Sequence, residues 1–297
     1  MKSTYTNIGG RLAALAAGFA PVSVFAEAGQ PTPWQLGLQD PVTPVMENIV
    51  WFHSWLMIVI TVITLFVAAL LVYVMVRFRA KANPIPSTTT HHTGIEVAWT
   101  VIPILILVAI VIPSFRLLYL QRDIPAADMT IKIQGNPSWN WTYDYPDLGL
   151  NDDKTSKVVF TAYLKPEKDA VADKVPYLLA TDLPMVVPVN KTVKILVTSD
   201  PDGIIHSWTV PSFGLKIDAI PGRINEDWFK VTKAGIYYGQ CSELCGKDHA
   251  FMPIEVWAVD DATMAKWGDF MKTGPKPDAL QQFLKTIKPA AQTVASN

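Results

Sequence analysis

Two long apolar stretches, Asn48–Val76 and Val97–Phe115, carry no Asp, Glu, Lys or Arg. As helices rising ~1.5 Å per residue, each spans close to or beyond the ~30 Å of a bilayer's hydrocarbon. The pattern predicts two membrane helices, about Val45–Phe78 and about Gly94–Leu120. Trp51 and Trp55 mark one end of the first, as interfacial aromatics do. Pro103 and Pro113 fall inside the second and predict a bend. From Arg122 the pattern changes to short runs of β-branched and aromatic residues punctuated by Gly and Pro. These are Thr130–Gln134, Val158–Leu164, Val193–Thr198, Ile205–Val210, Asp227–Val231 and Ile254–Val259, and they predict a Greek-key sandwich or barrel. Between them, Trp139, Trp141, Tyr143 and Tyr145 alternate with polar residues, which puts four rings on one face of a strand. Ala262–Met271 predicts a short helix capped by Asp260 or Asp261. The segment beyond Thr273 predicts a loosely ordered tail.

Composition agrees with this division. Of 297 residues, 50% are hydrophobic and only 17% charged, against roughly 25% in soluble domains. The deficit is concentrated in the two apolar stretches. A net charge of −1 implies no general attraction to nucleic acid. Residues 1–26 have the form of a secretory signal: Lys2 and Arg11, an apolar run Leu12–Phe25, and small residues Val24 and Ala26 before a cleavage point. Arg77, Arg79 and Lys81 follow the first helix, whereas Glu27–Val76 holds no Lys or Arg. The positive-inside rule therefore puts the 77–92 loop in the cytoplasm and both chain ends outside. The expected domains are a signal peptide at 1–26, an exported arm at 27–44 and a transmembrane helix hairpin at 45–121. A β-domain at 122–260 and a C-terminal helix and tail at 261–297 complete the chain. Glu96 stands at the cytoplasmic mouth of the second helix. An acid there either handles protons or complements the helix macrodipole, and the residue alone does not decide between them.

The chemistry lies in one loop. Both cysteines of the chain, Cys241 and Cys245, precede His249 and Met252 with the spacing Cys-x3-Cys-x3-His-x2-Met. Thiolate, imidazole and thioether are the donors that copper prefers. His206 adds an upstream imidazole in a strand-like run. Two thiolates can bridge two metal ions, so the pattern reads as a dinuclear copper site. A disulfide or a Cys2His2 zinc site could use the same residues, but neither accounts for Met252. No Cys-x-x-Cys-His run exists to attach a haem.

Cys241-Ser242-Glu243-Leu244-Cys245-Gly246, with His249 and Met252, resembles the CuA loop of subunit II of haem-copper cytochrome c oxidases. His206-Ser207-Trp208, Asp218-Ala219-Ile220-Pro221-Gly222-Arg223 and Ile95-Glu96-Val97-Ala98-Trp99-Thr100 resemble the same family, and the likeness runs from about Val45 to Val259. The resemblance implies a two-helix transmembrane hairpin followed by an all-β cupredoxin-like domain. It implies two copper ions held by the side chains of His206, Cys241, Cys245, His249 and Met252 and by the backbone carbonyl of Glu243. The Glu243 carboxylate would bind a magnesium ion shared with subunit I. Phe251, Trp208 and Leu244 are candidates for the hydrophobic shell of the copper. Trp139 would be where electrons arrive from cytochrome c, and Glu96 the mouth of a proton route, the K channel. Asp144 and Asp182 match acidic docking positions, with Asp200 and Asp202 as weaker candidates. The usual Gly-His-Gln-Trp-Tyr-Trp is replaced here by Gly135-Asn136-Pro137-Ser138-Trp139-Asn140-Trp141, one residue longer and without the histidine. The whole implies a subunit of an aa3-type, proton-pumping oxidase in a bacterial inner membrane, with haem confined to subunit I. A quinol oxidase subunit would lack the copper ligands. A free copper carrier would not need two membrane helices. A nitrous oxide reductase would need further histidines.

Overall fold

The computed structural model describes residues 26–27, 29–152, 154–289 and 293–294. Most of the expected signal, residues 1–25, lies outside them. In chain order the elements are β1 (Ala26–Glu27), α1 (Pro44–Arg77), α2 (Thr93–Arg122), β2 (Met129–Asn136), β3 (Asn140–Asp144), β4 (Val159–Ala162), α3 (Glu167–Asp173) and β5 (Met185–Pro188). Then follow β6 (Val193–Ser199), β7 (His206–Val210), β8 (Leu215–Ala219), β9 (Asn225–Phe229), β10 (Gly235–Gln240), β11 (Pro253–Val259), α4 (Asp261–Met271), α5 (Pro277–Ile287) and β12 (Thr293–Val294).

The membrane hairpin forms as the apolar pattern requires. α1 has 34 residues, ~50 Å at ~1.5 Å per residue, so it outruns the hydrocarbon and reaches into the β-domain. Its sides are apolar all round and face outward, as lipid-facing helices do. The Thr43 hydroxyl caps α1 by accepting from the Met46 N–H at 3.1 Å, and donates to the Phe213 carbonyl at 2.7 Å. One buried side chain thus starts the helix and ties it to the β-domain. At the other end of the hairpin, the His92 ring accepts from the Ile95 N–H at 3.3 Å, and the Glu96 carboxylate accepts from the His92 N–H at 3.2 Å. That reciprocal pair opens α2.

The remainder is all-β with helical additions, the class the sequence implied. One sheet has the order β4-β3-β2-β6-β9, with β2 and β6 parallel. A second has the order β10-β11-β5, with β11 and β5 parallel. β7 and β8 form a hairpin. Burial alternates along β6, which therefore has a wet and a dry face, while every residue of the central strand β11 is buried. Trp141, Tyr143, Ile131, Ile195, Val197 and Val256 fill the interior.

Two expectations need correction. Over residues 277–287 the C-terminal segment is not loose: α5 buries Leu280 and Leu284, and Phe283 stacks on Phe270 of α4 with centroids 4.2 Å apart. Its apolar residues at 280, 283, 284 and 287 have helical spacing. Nor do the four alternating rings share a strand face. Trp141, Tyr143 and Tyr145 are buried, but Trp139 precedes β3 in a turn with φ at 55°. A left-handed backbone is costly for a tryptophan, and it places this residue in the turn ahead of the strand rather than on it.

Candidate metal centre

The loop 241–252 is closed at its base by the β10–β11 ladder, whose last pair is Gln240–Pro253. The ladder therefore fixes the distance between the first and last sulfur ligands. The loop is also stitched to β7, because the Ser242 N–H donates to the Ser207 carbonyl at 3.0 Å. That bond sets the loop beside His206, the first residue of β7.

Six donors converge as a result. Cys245 Sγ lies 3.8 Å from Cys241 Sγ, 3.4 Å from His249 Nδ1 and 3.6 Å from Met252 Sδ. Cys241 Sγ lies 3.9 Å from His206 Nδ1 and 3.4 Å from the Glu243 carbonyl oxygen. Both cysteines are free. Cys241, Cys245, His206 and Met252 are all buried. The thioether inside the cluster distinguishes it from a zinc site, which takes thiolate, imidazole and carboxylate; a soft donor set with two thiolates fits copper.

Burial favours the neutral forms of the donors. Burial, then the neighbouring Cys241, pushes the Cys245 thiol up to about 12. Such a thiol stays protonated unless a metal ion displaces the proton. Burial holds His206 below the usual imidazole range, and His249 adds to this. The Asn136 backbone opposes the shift, but His206 Nε2 is buried without a hydrogen-bond partner. Neutral imidazole is the form that binds metal.

Residues 31–117 match the family described as "Cytochrome C oxidase subunit II, transmembrane domain", and residues 129–259 match its "periplasmic domain". A "Probable cytochrome c oxidase subunit 2" of Rickettsia bellii (strain RML369-C) is 46% identical over 251 residues, covering 84% of this chain and 89% of the relative. This chain belongs to the cytochrome c oxidase subunit II family. The "Cytochrome c oxidase subunit 2" of Cereibacter sphaeroides is 42% identical over 275 residues, 88% of each chain. The crystal structure of the periplasmic domain of subunit II of cytochrome oxidase of Bradyrhizobium japonicum is 48% identical, covering 51% of this chain and 98% of that one, with a TM-score of 0.44. As a subunit II, this chain is part of an oxidase complex and a membrane protein, and its His/Cys cluster is the candidate copper centre of that family.

The other expected site residues fall in four places. Trp139 touches the loop: its Nε1 donates to the Cys245 carbonyl at 2.9 Å, and Lys247 Nζ sits 5.6 Å from its ring centroid. Gly246, at φ 112°, lets the loop lie against this indole, since a Cβ there would be 3.1 Å from Trp139 Cζ2. Among the expected shell residues Trp208 is fully buried, but Leu244 is 80% and Phe251 45% exposed. On that side this chain alone does not seal the site. The docking candidates have local partners. Asp144 pairs with Lys132 at 3.3 Å, and Asp182 accepts from the Tyr163 N–H at 2.7 Å. Asp200 accepts from the Asp202 N–H at 3.0 Å within a turn. Glu96 stands apart at the start of α2, on the hydrogen bonds described above.

Two residues with a bearing on the site were not singled out from sequence. Gly135 lies against the His206 ring, where an added Cβ would be 2.7 Å from Cδ2. Trp141 reads in sequence as one of four alternating rings, with nothing that ties it to the metal loop.

Proposed function

We propose that this chain is the electron-accepting subunit of a proton-pumping cytochrome c oxidase. It takes single electrons from cytochrome c at a dinuclear copper centre and passes them to haem in subunit I. The convergence of the six donors on Cys245 and Cys241 carries this reading. His206, Cys241, Cys245, His249 and Met252 would hold the metal by side chain and Glu243 by its carbonyl. When bound, the copper would supply one-electron transfer. The protein's part is to keep the donors fixed and dry, through the β10–β11 ladder and the packed interior. Rapid mixing of the copper-loaded protein with reduced cytochrome c tests the reading directly: it requires reduction of the copper band, and an unreactive centre contradicts it.

Trp139 is proposed as the point where electrons enter. Its partly exposed ring is hydrogen-bonded to a ligand residue, which makes a short route from surface to metal. Trp139→Ala should slow reduction by cytochrome c markedly, because it removes the ring that joins the surface to the Cys245 backbone. Docking should weaken far less. A normal rate of reduction in the variant would return Trp139 to a packing role. Asp144 and Asp182 are proposed to steer the basic donor by their field.

The positive loop after α1 supports a cytoplasmic 77–92 segment in the inner membrane, with the copper domain in the periplasm. There the Glu243 carboxylate would bind magnesium together with subunit I, a hard cation for a hard donor. Glu96 would collect protons at the cytoplasmic mouth. Glu96→Gln keeps an acceptor for the His92 N–H, so the helix start survives at a cost below about 1 kcal/mol. Steady-state turnover should nevertheless fall, because Gln cannot ionise, while copper binding and first electron uptake are unchanged. Equal turnover, followed by oxygen consumption, would leave Glu96 with its capping role alone.

A further inference from the structure

Trp141 is a second indole in contact with the donor cluster, and it touches two ligands at once. It is fully buried on β3, directly across the ladder from Gly135. The His206 ring lies over that glycine, and Trp141 meets it edge-on, with centroids 5.8 Å apart and planes at 64°. The Trp141 Nε1 donates to the Met252 carbonyl at 3.3 Å. The His206 Nε2 has no well-formed hydrogen bond, although the Asn136 backbone lies close by, so packing takes a large part in fixing the ring's rotation. The two packing elements are the bare backbone of Gly135 on one side and the Trp141 ring on another.

We propose that Trp141 is a positioning residue of the metal centre, holding His206 with its ring and the Met252 backbone with its N–H. The proposal rests on the copper reading of the cluster. The two ligands come from segments far apart in sequence, and the backbone joins them only indirectly, through the Ser242–Ser207 bond and the β10–β11 ladder. A rigid, two-ended side chain touches both directly. Its effect on the metal comes through the two ligands, since no atom of Trp141 is itself a donor.

The test uses the full-length, copper-loaded chain. Copper release to a chelator and the EPR hyperfine pattern are compared in wild type, Trp141→Phe and Trp267→Phe. Trp267 is an equally buried indole packed on Tyr145, away from the donors, and controls for general loosening of the core. Trp141→Phe should release copper at least about 10-fold faster, as loss of a ligand's outer support does, and should alter the hyperfine pattern. Trp267→Phe should change neither. Replacing Trp141 by benzothienylalanine keeps the ring shape and removes only the N–H. It should give an intermediate release rate, and it carries the test if Trp141→Phe does not fold. Wild-type release and spectrum in the Trp141 variants, or equal effects from Trp267→Phe, would overturn the proposal. Failure of the wild type to bind copper at all would instead overturn the reading of the cluster beneath it.

Discussion

Gly239→Ala should severely destabilise the β-domain. A Cβ at this position would fall on the Thr209 carbonyl oxygen and lie 2.9 Å from the Thr209 carbonyl carbon and 3.2 Å from Val210 Cα. All three are backbone atoms of β7, so no side chain can rotate away. Relief requires β10 to separate from β7 in a part of the core where both strands are buried. Those strands carry His206 and lead into Cys241, so the metal site would open with the fold. The expected loss exceeds about 4 kcal/mol, a large part of the ~5–15 kcal/mol that holds a typical domain. Denaturant unfolding of the solubilised protein measures it. A midpoint near that of wild type would mean that β7 and β10 are not in such close contact.

Cys245→Ser should have the largest effect on the metal and little on the fold. Cys245 Sγ is the hub of the cluster, within 3.8 Å of Cys241 Sγ, His249 Nδ1 and Met252 Sδ. A serine hydroxyl is harder and far less acidic, so it does not replace a bridging thiolate. The two-copper centre should be lost, with any residual metal bound as a single ion. The serine fits the space, and its cost to stability should stay within ~0.5–3 kcal/mol. Metal analysis and a thermal melt separate the two effects. Retention of the paired centre would mean that Cys245 is no bridge.

Much of this was legible in the sequence, for physical reasons that differ by element. The membrane helices declare themselves because lipid tolerates no charge over a span of that length. The loop ligands are legible because they are close in sequence and chemically distinctive. Three strands were harder. β10 contains Gly235 and Gly239, which read as punctuation, yet Gly239 is there because another backbone passes within contact of it. β5 is four residues long and ends on Pro188. β8 reads as mixed polar and apolar because only one hairpin partner and one core face constrain it. The tail was misread because its prolines and lysines outweighed the Leu280–Leu284 spacing. Trp139 was legible as a special residue through the family resemblance, but period-2 alternation put it on the strand, which starts one residue later. The turn at 136–139 is what sets this residue beside the metal loop.

The central claim is that the six donors hold a pair of coppers that share one electron. The most direct measurement is copper content together with the EPR spectrum of the loaded, partly oxidised full-length protein. The account predicts two copper ions per chain and hyperfine structure from one unpaired electron spread equally over two copper nuclei. One copper per chain, with hyperfine structure from a single nucleus, would contradict it.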